Sequence, residues 1–405
     1  MKIGIVTPWF SDNISGGAER FAGGIAKSLQ DAGCQVEVLT TCGKDSFWDW
    51  GSDFYEQGQT IIDELLVRRF SLRKRNKVLY DELMGKMIHG ETLSYVEEMQ
   101  LMHETVNSDE LYNFITNFGD QYIFLFIPYL TGTTYWGSRL RPENTFIIPC
   151  LHDEEMAYFK SIGDMFSRVK GLLLNTIEEL DFSSKLYNLD QDSTVVSGGG
   201  VEVGYIPNAN NFRNKFGINE DYFIYVGRQV SGKNVPQLIQ LFNQYIENNP
   251  SDIKLVFVGK GEEQIIQTMK ASKNIIHIGE VSDEEKYDAI AGATALVQPS
   301  LMESFSIVIM ESWLCNIPVI VHEHCAVTKG HCDRSQGGMY YKDYTAFEKI
   351  VSQLIDNPQM RNDLAANGKK YVEEYYTWSK TAQRIISFLN SKGFQRKDLL
   401  NENTN

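Results

Sequence analysis

Pro299-Ser300-Leu301-Met302-Glu303-Ser304-Phe305-Ser306-Ile307-Val308-Ile309-Met310-Glu311 is the stretch on which the fold turns. Two carboxylates, Glu303 and Glu311, enclose seven residues that pass from loop chemistry into an apolar run. Ala295-Leu296-Val297, just ahead, has the character of a short buried strand, and residues 306–315 that of a partly buried helix. Glu303 is therefore expected in the loop. Glu311 falls more than a turn inside the helix, roughly 7–8 Å further along at 1.5 Å per residue. Between them lie the unpaired N–H groups and positive dipole end of the helix, which suit a phosphate. A ligand with hydroxyls at both ends and phosphates in the middle fits that order, and a nucleotide-sugar is such a ligand. The plain structural alternative is a glutamate capping a helix start and a second one solvated on its surface.

The surrounding chain repeats the strand-then-helix rhythm. Residues 2–7 form an apolar strand, Gly16-Gly17 a loop, and residues 18–32 a helix with Phe21, Ile25 and Leu29 on one face; residues 36–40 are the next strand. The chain thus opens as a βαβ unit. Residues 45–110 differ, being polar, helical and poor in strand signals, and are expected to be an insertion forming a lid or acceptor wall. Strands resume at 122–127, 145–148 and 172–174. After the turn-rich 197–211 stretch, strands at 222–226, 254–258, 275–278, 295–298 and 318–321 alternate with helices. The predicted class is α/β, two doubly wound Rossmann-like domains facing across a cleft. Their expected extents are 1–197, with the insertion at about 45–110, and 215–376, joined by a hinge at 198–214. A last helix at 377–392 is expected to return to the first domain.

Composition narrows the class. The chain has 405 residues, 42% apolar and 22% charged, which is globular. A net charge of −15 argues against nucleic acid as the main partner. No apolar run approaches a membrane span, the N-terminal Met1-Lys2-Ile3-Gly4-Ile5-Val6-Thr7 has strand rather than leader character, and six cysteines without a CxxC pair fit reduced thiols. The expected location is cytoplasmic. One basic run, Arg68-Arg69-Phe70-Ser71-Leu72-Arg73-Lys74-Arg75-Asn76-Lys77, carries six positive charges. It is a candidate for peripheral contact with the inner membrane face or a phosphorylated acceptor, against the simpler possibility of a solvated helix face.

Arg228 and Lys233 lie between the strand at 222–226 and the helix starting near Val235, two cations beside a helix N-terminus that would clamp a diphosphate. Gly227-Arg228-Gln229-Val230-Ser231-Gly232-Lys233 also matches a P-loop, but Asn234 stands where magnesium binding needs a Ser or Thr hydroxyl. Gly16 and Gly17 would let backbone amides approach a ligand, or form a simple tight turn. His152 follows the strand at 145–148 and is placed to hydrogen-bond a sugar hydroxyl or phosphate, although a lone histidine is more often structural. His322, His324, Cys325, His331 and Cys332 are zinc-ligand types in no standard zinc spacing, so no metal site is assigned. Asp190-Gln191-Asp192 resembles a metal-binding DxD but fits turn chemistry.

Together these residues resemble family 4 glycosyltransferases of the GT-B fold across most of the chain. The pieces are Gly16-Gly17-Ala18-Glu19-Arg20, His152-Asp153, Gly227-Arg228 with Lys233, Val256-Phe257-Val258-Gly259-Lys260-Gly261, Gly279-Glu280-Val281-Ser282-Asp283-Glu284-Glu285, Pro299-Ser300 through Glu311, Pro318-Val319-Ile320 and Gly337-Gly338. The resemblance implies metal-free, retaining transfer of a sugar from a nucleotide-diphosphate donor, UDP- or GDP-linked, to a glycan, lipid-linked or small-molecule acceptor, with no cofactor. It implies Arg228 and Lys233 on the diphosphate, Glu303 on the donor sugar and Glu311 on the ribose hydroxyls. The Gly17 backbone would meet phosphate, His152 would lie near the sugar, and Phe305, Ser306, Ile307 and Val308 would supply backbone amides. Ser304 and Ser306 replace the family's usual glycines, so no sugar identity carries over. Asn234 likewise replaces a common glycine. The competing functions are an epimerase or phosphorylase on the same fold, and a non-catalytic glycosyltransferase-like subunit.

Overall fold

The computed structural model describes residues 2–12 and 17–395, and the chain divides into two compact units. The first contains β1 (Lys2–Val6), α1 (Gly17–Asp31), β2 (Val36–Thr41), β3 (Gly58–Ile62), β4 (Leu65–Phe70), α2 (Lys77–Ile88), α3 (Tyr95–His103), α4 (Asp109–Phe118), β5 (Tyr122–Phe126), α5 (Gly132–Gly137), β6 (Thr145–Ile147), α6 (Lys160–Arg168), β7 (Gly171–Leu174), α7 (Ile177–Leu186) and β8 (Thr194–Val196). Its eight-stranded sheet runs β3-β4-β2-β1-β5-β6-β7-β8, parallel except for the β3–β4 hairpin. Central strands are apolar on both faces, as a sheet covered on both sides requires: Tyr122, Ile123, Phe124, Leu125 and Phe126 are all buried.

The region expected to be a helical insertion contains that hairpin as well as α2 and α3, and ends at the start of α4. Cationic side chains conceal its strand character. In β4, Leu65 and Val67 point into the core, while Arg68 bonds Glu37 at 2.8 Å. Glu37, the second residue of β2 and 1% exposed, also accepts from the Tyr122 hydroxyl at 2.6 Å. Arg69 is buried and donates to the Phe10 carbonyl at 2.8 Å. Arg73 pairs with Asp109, and Arg75 lies over the Trp50 ring. The basic run is therefore the end of β4, a six-residue loop and the first residue of α2, and five of its six cations have partners within the unit, Lys77 pairing with Asp81.

The second unit holds α8 (Ala209–Phe216), β9 (Tyr222–Val226), α9 (Val235–Asn248), β10 (Lys254–Val258), α10 (Glu263–Lys270), β11 (Ile275–Gly279), α11 (Asp283–Ala291), β12 (Leu296–Gln298), α12 (Ile307–Leu314), β13 (Val319–His322), α13 (Ala326–Ser335), β14 (Gly338–Tyr341), α14 (Tyr344–Asp356) and α15 (Pro358–Tyr375). Its six strands are all parallel, in the order β11-β10-β9-β12-β13-β14. The order reverses between β9 and β12, and ligands of such sheets bind beyond the carboxyl ends of the strands at that switch point.

The chain passes into the second unit after Gly200 and leaves it before Trp378. The final helix, α16 (Trp378–Ser391), packs on α1 in the first unit. The Trp378 ring sits where Gly24 and Gly200 have no side chains: a Cβ would come within 2.0 Å of it at Gly24 and 2.3 Å at Gly200. Among the described residues no helix is long and apolar enough to cross a membrane. All six cysteines are free thiols, five of them buried.

Candidate functional site

The loops after β9 and β12 flank the switch point of the second sheet, and they carry Arg228, Lys233 and Glu303. The first loop is held from below. Gly227, at φ +148°, and Gly259, at φ +124°, approach so closely that a Cβ on Gly259 would be 2.3 Å from the Gly227 carbonyl oxygen. Gln229 then bonds the neighbouring loop three times. Its N–H donates to the Lys260 carbonyl at 2.8 Å, its amide to the Gly259 carbonyl at 2.8 Å, and its own carbonyl accepts from Glu262 N–H at 3.0 Å. The Tyr225 hydroxyl donates to the Arg228 carbonyl at 2.7 Å. With its backbone fixed in this way, Arg228 extends an exposed guanidinium for which no described residue supplies a hydrogen bond or ion pair.

Lys233 ends a single 3₁₀ turn, Ser231–Lys233, and Asn234 adopts the left-handed conformation before α9. The Asn234 amide donates to the Pro299 carbonyl at 3.1 Å and to Gln237 at 2.6 Å, joining the two loops. That is what the asparagine does in the P-loop-like segment. Lys233 Nζ lies 2.8 Å from Glu303 Oε1, with 28% and 12% of the two side chains exposed. The structure thus brings together two residues separated by seventy positions in the sequence.

Ser306 does not begin the helix as expected. It is the residue before α12, at φ 66° and ψ 72°, and its hydroxyl is buried without a hydrogen-bond partner among the described residues. Phe305 anchors the loop, 4% exposed and edge-on to His331 and Tyr376. Glu311 is not solvated: it is 5% exposed and bonded to Lys286 at 2.7 Å and the Tyr287 hydroxyl at 3.2 Å. Lys286 and Tyr287 escape sequence reasoning, because a lysine in a charged helix such as Asp283–Ala291 suggests a solvent face.

The His/Cys-rich segment disperses. His322 stands edge-on to Tyr341, His331 bonds Tyr371 at 3.0 Å, and burial pushes the Cys325 and Cys332 thiols above their ordinary range. Among the described residues no group of three His, Cys, Asp or Glu side chains is placed to hold a metal. Asp190 caps its own turn by accepting from Asp192 N–H at 3.1 Å.

His152 and Gly17 belong to the first unit, and Gly16 lies outside the described residues. Gly17 is the first residue of α1, and a Cβ there would meet nothing within 4 Å. His152 is half-buried, its Nδ1 3.0 Å from Glu154 Oε1, which also accepts from the Tyr129 hydroxyl at 2.9 Å. The preceding loop is held by Glu179, another residue the sequence conceals. Its carboxyl, buried at the start of α7, accepts from the N–H groups of Leu151 and Asn175. Burial pushes Glu179 up to about 7, against the lowering effect of those N–H groups and of nearby His152.

Residues 208–371 match the family described as Glycosyl transferases group 1. An uncharacterized glycosyltransferase of Methanocaldococcus jannaschii is 24% identical over 185 residues, 44% of this chain and 47% of that one. The GDP-mannose-dependent monoacylated alpha-(1-6)-phosphatidylinositol monomannoside mannosyltransferase of Corynebacterium glutamicum is 23% identical over 175 residues, 41% of this chain and 46% of that one. The chain thus spans about half the length of these curated relatives. Among solved structures, Anabaena HepE in complex with UDP and glucose superimposes with a TM-score of 0.70 at 14% identity, covering 96% of this chain and 100% of that one. Such identity speaks to the fold alone, and the fold is GT-B: α/β, built of two Rossmann-like domains.

Proposed function

We propose that this chain is a glycosyltransferase that moves a sugar from a nucleotide-diphosphate donor, UDP- or GDP-linked, to a glycan, glycolipid or small-molecule acceptor. The observation that carries the reading is the Lys233–Glu303 contact across the two switch-point loops. It puts a cation of the kind that suits a phosphate beside a carboxylate of the kind that suits a sugar hydroxyl, in the loops where a doubly wound sheet binds its substrate. The group 1 match over 208–371 covers both loops and supports the same reading.

In this proposal Arg228 and Lys233 bind the diphosphate, Glu303 a donor-sugar hydroxyl and Glu311 the ribose. The N–H groups at Phe305, Ser306, Ile307 and Val308 receive phosphate or sugar oxygens. His152 and Gly17 of the first unit serve the sugar and phosphate. Charge developing on the leaving diphosphate is met by the two cations and the helix end, so no metal is required. The bond from the anomeric carbon to the diphosphate oxygen breaks while the acceptor hydroxyl bonds to the same face of that carbon. The hydroxyl proton passes to the departing phosphate oxygen, and the configuration is retained without a protein nucleophile.

The test is Lys233→Ala in a transfer assay, after a thermal-shift screen of UDP-, GDP- and ADP-sugars has found the donor that raises stability. Turnover is expected to fall at least a hundredfold, about 2.7 kcal/mol of transition-state stabilisation. Near-normal transfer by that variant would overturn the diphosphate assignment.

A further inference from the structure

Lys286 is an expensive residue to place where it is. It lies on α11, only 9% exposed, among the buried side chains of Tyr287, Ala289 and Ile290. Its ammonium is 2.7 Å from Glu311 Oε1 and 3.2 Å from Asp283, and stands 4.3 Å from the centroid of the Tyr287 ring. A buried ion pair of this kind is often no more stable than apolar side chains of the same volume, because both charges must be desolvated. Stability alone does not account for it.

The geometry of the carboxylate gives another account. Lys286 and the Tyr287 hydroxyl both bond Oε1 of Glu311, and no described residue bonds Oε2. Two donors from one helix therefore hold one oxygen of a carboxylate on the next, which fixes the side chain's rotamer and leaves the second oxygen available. A pair of vicinal hydroxyls needs such an acceptor, held in place before the ligand arrives.

We propose that Lys286 is a positioning residue for ribose recognition: together with Tyr287 it clamps Oε1 of Glu311 so that Oε2 is left to accept from a ribose hydroxyl of the nucleotide. The inference rests on the reading of Glu311 as the ribose-binding residue. Lys286 itself touches no substrate, and its contribution is the difference between a preset carboxylate and one free to turn.

The experiment titrates the full chain calorimetrically with UDP and GDP and with their 2′,3′-dideoxy counterparts. The quantity read is the ratio of dideoxy to ribo dissociation constants for whichever base binds. Glu311→Gln is expected to bring that ratio close to one. Lys286→Met, which keeps the length and apolar stem, is expected to lower it about tenfold, and Lys286→Arg to restore most of it. A purely structural lysine would move the melting temperature and leave the ratio at the wild-type value, and that result overturns the proposal. An unchanged ratio in Glu311→Gln, or a wild type indifferent to the ribose hydroxyls, overturns the ribose reading beneath it. If Lys286→Met does not fold, Tyr287→Phe removes only the second clamping hydroxyl. A ratio reduced about two- to fivefold then supports the clamp, and an unchanged ratio overturns it.

Discussion

Replacing Glu303 with glutamine probes the phosphate site through its ligand-free state. Lys233 and Glu303 are 2.8 Å apart, and a diphosphate must compete with that carboxylate for the ammonium. At this separation, two unit charges attract by about 1.5 kcal/mol in water and about 6 kcal/mol at an effective dielectric constant of 20. The side chains are 28% and 12% exposed, so solvent screening acts on both. Screening, with the cost of desolvating both charges, leaves about 1–2 kcal/mol for the pair. Glutamine keeps the shape and an oxygen that can accept from Lys233, and it removes the competing charge. The nucleoside diphosphate of the right base is therefore expected to bind Glu303→Gln about 5–30-fold more tightly than wild type. Sugar transfer falls in the same variant, because a donor-sugar contact is weakened. The assay is calorimetric titration with UDP and GDP at fixed ionic strength, paired with steady-state transfer. An affinity that is unchanged or weaker would refute the idea that Glu303 occupies the phosphate-binding lysine.

Two further outcomes follow from strain and burial. Ser306 holds φ 66° with an unpartnered buried hydroxyl, so Ser306→Gly is expected to raise stability by about 0.5–1 kcal/mol in chemical denaturation and to exceed Ser306→Ala, which keeps the strained backbone. A glycine variant less stable than wild type would contradict this. Glu179 is raised from 4.5 to about 7 by burial, so the folded chain holds this proton more tightly than the unfolded one. The resulting stabilisation is complete below about pH 4.5 and is lost as pH rises toward 7, by at most about 1.4 kcal/mol per pH unit. Urea titrations at several pH values between 5 and 7 should show wild type losing ground steadily against Glu179→Gln; a constant difference would be contrary to the expected linkage.

Ten of the fourteen described strands were legible, because parallel strands covered on two faces are plain apolar runs: Tyr222–Val226 and Lys254–Val258 stand out from the sequence, whereas β3, β4, β8 and β14 do not. The switch-point residues were legible for a related reason, since cations and carboxylates in loops that follow such strands have few structural uses. β4 was hidden because two arginines interrupt its apolar alternation, and the partner that makes Arg68 tolerable there, Glu37, is buried in another strand. Lys286 was hidden in the same way. Its partner lies twenty-five residues downstream, and only the packing of α11 against α12 reveals that the charge faces inward. The left-handed turn at Ser306 was out of reach because serine carries no signal for positive φ, whereas a glycine would have.

Trp378, seated against Gly24 and Gly200, has a consequence for the order in which the chain can fold. The second unit is one continuous segment, 201–377, whereas the first requires α16 from beyond it. On the ribosome the first unit waits for about 180 residues after Gly200, roughly 10–35 s at typical rates of synthesis, before the indole reaches its slot. During that interval the face of α1 around Gly24 is without its cover. The domain that starts first is thus completed last, and the N-terminal unit expressed alone would lack the helix that closes it.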